Sequence, residues 1–143
     1  MSTNVFNYFD KVWGPHTFDR FANSFNSKCI KFNSRSPCKL SLGTDCFNFD
    51  WNGETNWLVP PVHLIGRTVS QVKSCKANGT LVVPKWKSSY FWPLLCDECG
   101  NFPSFVVDFV EYKNPTYFFS CPDPKSVFNE KFKSNVLVLK LRF

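Results

Sequence analysis

The chain has 143 residues, of which 43% are hydrophobic and 18% aromatic, with 17 Phe and 5 Trp. That much apolar surface excludes a disordered chain, and the length suffices for one domain (1–143) whose core needs no disulfide staples. Seventeen Lys+Arg against eleven Asp+Glu leave a formal charge of +6, which favours an anionic partner such as nucleic acid through counterion release and also solubilises an aromatic-rich surface.

No run approaches the roughly 18 apolar residues of a membrane-spanning helix, and the opening MSTNVFNYFD has no apolar signal core. The expectation is an intracellular protein, of nucleus or cytoplasm, that has no membrane partner. Seven cysteines are an odd count without a secretory signal, so they read as reduced core side chains rather than a disulfide framework. Cys96 and Cys99 have metal-ligand spacing, but no second pair and no nearby His accompany them, so no metal is expected.

Residues 1–13 read as an N-terminal extension, followed by a turn at Trp13-Gly14-Pro15-His16 and a short strand, Thr17 to Ala22 (TFDRFA), with Asp19 inside it. Residues 23–44 are rich in Asn, Ser, Lys and Pro with no sustained period and predict a long loop. Asp45 to Trp51 (DCFNFDW) alternates Phe47 and Phe49 with polar neighbours, and Asn56 to Val59 is a second short apolar run stopped by Pro60-Pro61; both predict strands. Val62, Ile65, Val69 and Val72 recur at helical steps, closed by Lys76, Asn78 and Gly79, with Asn78-Gly79-Thr80 as a turn. Thr80 to Pro84 (TLVVP) is nearly all apolar, the pattern of a parallel strand covered on both faces. Ser88-Ser89 caps a short helix through Leu95, with Pro93 tolerated in its first turn. Phe105 to Tyr112 and Asn135 to Phe143 predict two further strands. The order implies a small three-layer α/β domain, mostly parallel, with an antiparallel C-terminal edge.

In such sheets ligands sit beyond the carboxyl ends of the strands, where Asp19, Asp50 and Pro60-Pro61 are expected to gather. Adjacent prolines leave two carbonyls and no amides, a rigid lip with outward acceptors; the plainer account is that they break the strand and start a helix at Val62. Asp19, Asp45, Asp50 and Glu54 offer an alternative as metal-binding carboxylates of an RNase H-like nuclease, although their spacing matches no nuclease signature. Lys85-Trp86-Lys87, and Lys28, Lys31 and Arg35 around Phe32, mix cations with aromatics as nucleic-acid surfaces do. Phe91 and Trp92 are better read as packing a helix onto the sheet, and His16 and His63 stand isolated.

The blocks TFDRFANSFNSK, FNSR, TDCFNFDW, NWLVPPVHLI, KANGTLVVPKWKSSYFWPLL and VLVLKLRF resemble the methyltransferase-like domain that lies downstream of the reverse transcriptase and RNase H in DIRS-type tyrosine-recombinase retrotransposons. That domain is in turn similar to phage DNA N-6-adenine methyltransferases. The resemblance implies a reduced Rossmann-like domain in which S-adenosylmethionine would lie near Asp19, Phe21, Asp45 and Asp50, with Pro60 and Pro61 at the catalytic strand end. In amino-methylating enzymes that end carries Asp, Asn or Ser before the prolines and an aromatic after them, to accept the target amine's hydrogen bond and to stack the flipped base. Here Val59 and Val62 stand in those places, and neither side chain can do its part. Each loss is worth ~1–3 kcal/mol of binding. No glycine-rich loop follows the first strand either. The expected function is therefore a catalytically degenerate module that binds DNA or RNA, retroelement proteins or a second copy of itself. An active S-adenosylmethionine-dependent DNA adenine methyltransferase is the alternative.

Overall fold

The computed structural model describes residues 3–22, 26–34, 40–113 and 134–143. In chain order the elements are α1 (Thr3–Trp13), β1 (Phe18–Ala22), β2 (Lys31–Ser34), a 3-10 turn (Cys46–Asn48), β3 (Thr55–Leu58), a second 3-10 turn (Val62–Leu64), α2 (Ile65–Cys75), β4 (Asn78–Pro84), α3 (Trp92–Leu95), β5 (Val106–Tyr112) and β6 (Val136–Leu141). They form an α/β fold around one six-stranded sheet of order β2-β1-β3-β4-β6-β5. Four neighbours, β2 to β4, run parallel. The sequentially last strand, β6, is inserted antiparallel between β4 and β5.

The all-apolar runs of β4 and β6 arise because helices cover both faces of the sheet. Leu81, Val83, Leu137, Leu139 and Leu141 join a cluster with Ile65, Val69 and Val72 of α2 and Leu95 of α3. The alternate residues Val82, Val136 and Val138 meet Phe6 and Phe9 of α1 on the other face. Phe91 is fully buried and Trp92 packs against the α2-side cluster, as their aromatic character predicts.

Ser88-Ser89 do not cap α3, which starts at Trp92 with Phe91 at its N-cap and no side-chain cap. Four other local expectations change. Residues 1–13 hold α1, because Phe6 and Phe9 sit three apart and bury on the sheet; the amphipathic stripe outweighs the polar composition around it. The 23–44 loop contains β2, a strand of only four residues whose pattern is too short to show a period. Asp45 to Trp51 is no strand: the Asp45 carboxylate accepts the Phe47 N–H at 3.1 Å and caps the 3-10 turn. The buried Trp51 indole then donates to the Cys46 carbonyl at 2.8 Å. Local capping wins here because the segment has no strand neighbour to complete a ladder.

The fourth change concerns Asn78-Gly79-Thr80, which opens β4 instead of making a turn. The left-handed residue that ends α2 is Lys76, at φ 51°. Gly79 is a glycine for another reason: β3 passes so close that a Cβ there would stand 2.2 Å from the Asn56 carbonyl oxygen. Among the described residues no helix is long and apolar enough to cross a membrane.

Candidate functional site

The chain leaves β1 and β3 on opposite faces. In the β1–β2 connection, Lys28 Nζ donates to Thr3 Oγ1 of α1 at 3.1 Å and Cys29 packs into the α1-side cluster. The return to β3 runs over the other face, where Cys46, Phe47 and Trp51 enter the α2-side cluster, and β3 itself is followed by α2. The crevice at the carboxyl ends of β1 and β3 is thus the topological switch point, the place where open α/β sheets bind ligands.

Asp19 is the second residue of β1, short of that crevice, paired in register with Trp57 of β3 and only 3% exposed. Its carboxylate accepts the amides of Lys28 at 3.0 Å and Phe21 at 3.3 Å, tying β1 to the residues that lead into β2. Burial pushes its pKa up to about 6, against the downward pull of those amides. A folded-state pKa above the ordinary 3.8 means that the native state holds the proton more tightly. The stability from this group is therefore full below about pH 4 and is lost as pH rises through about 6. Asp19→Asn should flatten that loss, so urea midpoints of the two proteins should diverge between about pH 4 and pH 6, by up to about 3 kcal/mol. His16 titrates with the opposite sign, its pKa lowered by burial against the raising influence of Asp10, so the informative quantity is the difference between the two curves; parallel curves would show that Asp19 is already ionised at little cost.

On the β3 side Pro60 is buried, while Val59, Pro61 and Val62 are partly covered. The Pro61 carbonyl accepts the Leu64 amide at 2.9 Å, so only part of the expected outward lip is open. The Tyr90 hydroxyl donates to the Val62 carbonyl at 2.7 Å and receives the Gly66 amide at 3.2 Å. That ring therefore braces the double-proline corner from the β4–α3 connection.

The other residues named from sequence do not all come here. Asp50 accepts the Asn52 amide at 2.9 Å, and the Asn52 side chain reaches the Cys75 carbonyl at the end of α2. Asp50 therefore lies at the amino edge of β3, opposite Pro60-Pro61, because residues 45–52 are the crossover that carries the chain back. The expected gathering of Asp19, Asp50 and the prolines does not occur. Asp45 is exposed and spent on its cap, and Phe21 is packed edge-on to Phe47 and Trp51. Of the four residues that the resemblance assigns to S-adenosylmethionine, none presents a free polar group to the crevice, and the set does not fit that cofactor.

Lys31 is ion-paired with Glu54 at the amino edge, where Thr17 also bonds that carboxylate. Lys85 and Lys87 lie at the carboxyl edge with the prolines; Lys85 bridges to Glu111 at 2.7 Å, Trp86 packs between the two core clusters, and Lys87 is exposed. Arg35 lies outside the described residues. Among those described, no three His, Cys, Asp or Glu side chains converge as metal ligands, and Asp19, Asp45, Asp50 and Glu54 are each engaged by different partners.

Two residues matter more than their sequence context suggests. Arg20 is 3% exposed; its Nε donates to Asn56 Oδ1 at 2.8 Å and its Nη1 to Asn33 Oδ1 at 3.0 Å, with the guanidinium 3.5 Å over the Phe18 ring. Burial lowers its pKa to about 10, so it stays charged and staples β1 to both neighbours. A cation inside the strand TFDRFA was the available signal. His16 bridges Asp10 Oδ1 at 2.9 Å and Thr80 Oγ1 at 2.7 Å. The order carboxylate, imidazole, hydroxyl is that of a hydrolase triad, but Thr80 is wholly buried. The chain of bonds pins α1 to β4. Compared with known proteins, the chain matches no family model, and no curated protein matches it in sequence.

Proposed function

We propose that this chain is a retroelement-derived, methyltransferase-like domain of Rossmann-like architecture that has lost efficient methyl transfer and works as a nucleic-acid-binding module. The observation that carries the reading is the double-proline corner, which ends β3 at the switch point beside β1 with Val59 before it and Val62 after it. The position is the one where an amino-methylating strand end belongs, and the groups that would accept an amine and stack a base are missing. Supporting it, Asp19 is consumed by two backbone amides. The net charge of +6 and the Lys85-Trp86-Lys87 segment at the same edge favour a polyanion.

Two assays test it together. Calorimetry with S-adenosylmethionine should give no binding heat, and adenine-containing DNA should take up no radiolabelled methyl group. Labelled DNA above a no-enzyme blank would overturn the degenerate reading. Titration with DNA and RNA at low salt should give saturable binding that weakens steeply as salt rises, and Lys85→Ala with Lys87→Ala should lower the slope of log affinity against log salt by about one to two. Flat titrations of the wild-type protein would remove the binding role.

A further inference from the structure

Between Glu54 and Asp97 the chain holds five Lys or Arg and no Asp or Glu. This acid-free span makes up α2, β4 and α3, and its outer surface carries a groove. The groove has a volume of about 420 Å³ and runs along α2 between Phe47 on one side and Leu94 on the other, over Gly66, Arg67, Ser70 and Ser74. Its floor is low because Gly66, Ser70 and Ser74 follow one another at four-residue steps on one helix face.

Its walls are aromatic and cationic. The Arg67 guanidinium lies 4.1 Å over the Phe47 ring, which holds an exposed cation flat at the groove side. At the other end Tyr90 is 56% exposed. A Cβ on Gly66 would stand 3.0 Å from its ring, so the ring stands beside the groove floor, and the two hydrogen bonds of its hydroxyl anchor its tip. Leu94, 40% exposed, continues that wall. No acid lines the groove, and Asp45 and Asp50 on the crossover each accept a local backbone amide.

We infer that this groove binds a single-stranded nucleic acid. Arg67 and the serine hydroxyls take the phosphates, and an unpaired base stacks on the Tyr90 ring. The inference rests on the nucleic-acid reading above and adds to it the outer face of α2, which meets the double-proline corner at Tyr90. A single strand is favoured over a duplex because a fixed, exposed ring is useful only to a base whose face is free. It is favoured over a helix of a second copy because the groove carries one cation, Arg67, and no acid, so a second α2 face would bring like charge against it.

The test is fluorescence anisotropy with a short labelled oligothymidylate and its duplex with oligodeoxyadenylate. Wild type should bind the single strand more tightly than the duplex. Tyr90→Leu should weaken single-strand binding about tenfold, and Arg67→Gln with Ser70→Glu at least as much, with circular dichroism showing each variant folded. Lys87→Ala lies off the groove and should act on both nucleic acids alike. Wild-type binding that the groove variants leave unchanged would overturn the groove while sparing the general binding role, and absence of wild-type binding would end both. A preference for the duplex, or a dimer in light scattering that Ser70→Glu dissolves, would also overturn it, the latter in favour of a second copy as occupant.

Discussion

Replacing Trp57 with Ala should lower the unfolding free energy by about 3–5 kcal/mol. Trp57 is 1% exposed and stands at the middle of β3, in register with Asp19 on one side and Thr80 on the other. Its ring meets Phe6 of α1 edge-on, 4.9 Å between centroids, and His16 at 5.0 Å. Removing it empties the seat of α1 and loosens the imidazole that joins Asp10 to Thr80. Small domains have only about 5–15 kcal/mol in hand, so the loss is a large fraction. Urea unfolding followed by circular dichroism should show an earlier midpoint, and amide exchange should show the α1 amides losing protection before those of β4. A change below about 1 kcal/mol would mean that α1 contributes little to holding the sheet.

Gly79→Ala should be nearly as damaging, about 3 kcal/mol, for a reason of geometry rather than of lost contact. The new methyl would meet three backbone atoms of Asn56, with the carbonyl oxygen at 2.2 Å and the nitrogen and carbonyl carbon at 2.9 Å. None is the end of a flexible side chain, so the pair Asn56 and Gly79 must separate at the point where β3 and β4 are in register. The φ of +156° adds to the strain, since side chains rarely adopt it. Differential scanning calorimetry should show Tm falling by about 10 °C. The same substitution at Gly53, where φ is +84° but nothing lies within 4 Å, isolates the backbone contribution.

These two sites also show what could be read from residues alone. Elements with long apolar runs were legible: β4, β6 and the helical steps of α2 announce their burial whatever their partners. Short elements were not, because the four residues of β2 carry no period, and the Phe alternation of DCFNFDW imitates a strand until Asp45 is seen to cap a turn. The double-proline corner could be placed at a strand end from its chemistry. Asp50 could not be placed, because the edge on which it falls depends on where a crossover turns back. His16 was opaque for a related reason: its partner Thr80 is 64 positions away, and nothing local to either residue hints at the other. Gly79 misled in an instructive way, since a glycine beside an asparagine reads as a turn when the true constraint is the approach of another strand.

The insertion of β6 between β4 and β5 has a bearing on how the chain reaches its form. Among the described residues β5 pairs only with β6, and the side of β4 away from β3 waits for the same strand. While the polypeptide is emerging from the ribosome, both edges stay open until the segment from Val136 onward has left the tunnel. Half of the sheet is therefore finished only after synthesis has passed nearly every other element, and until then the apolar residues of β4 are in the care of whatever shields nascent chains.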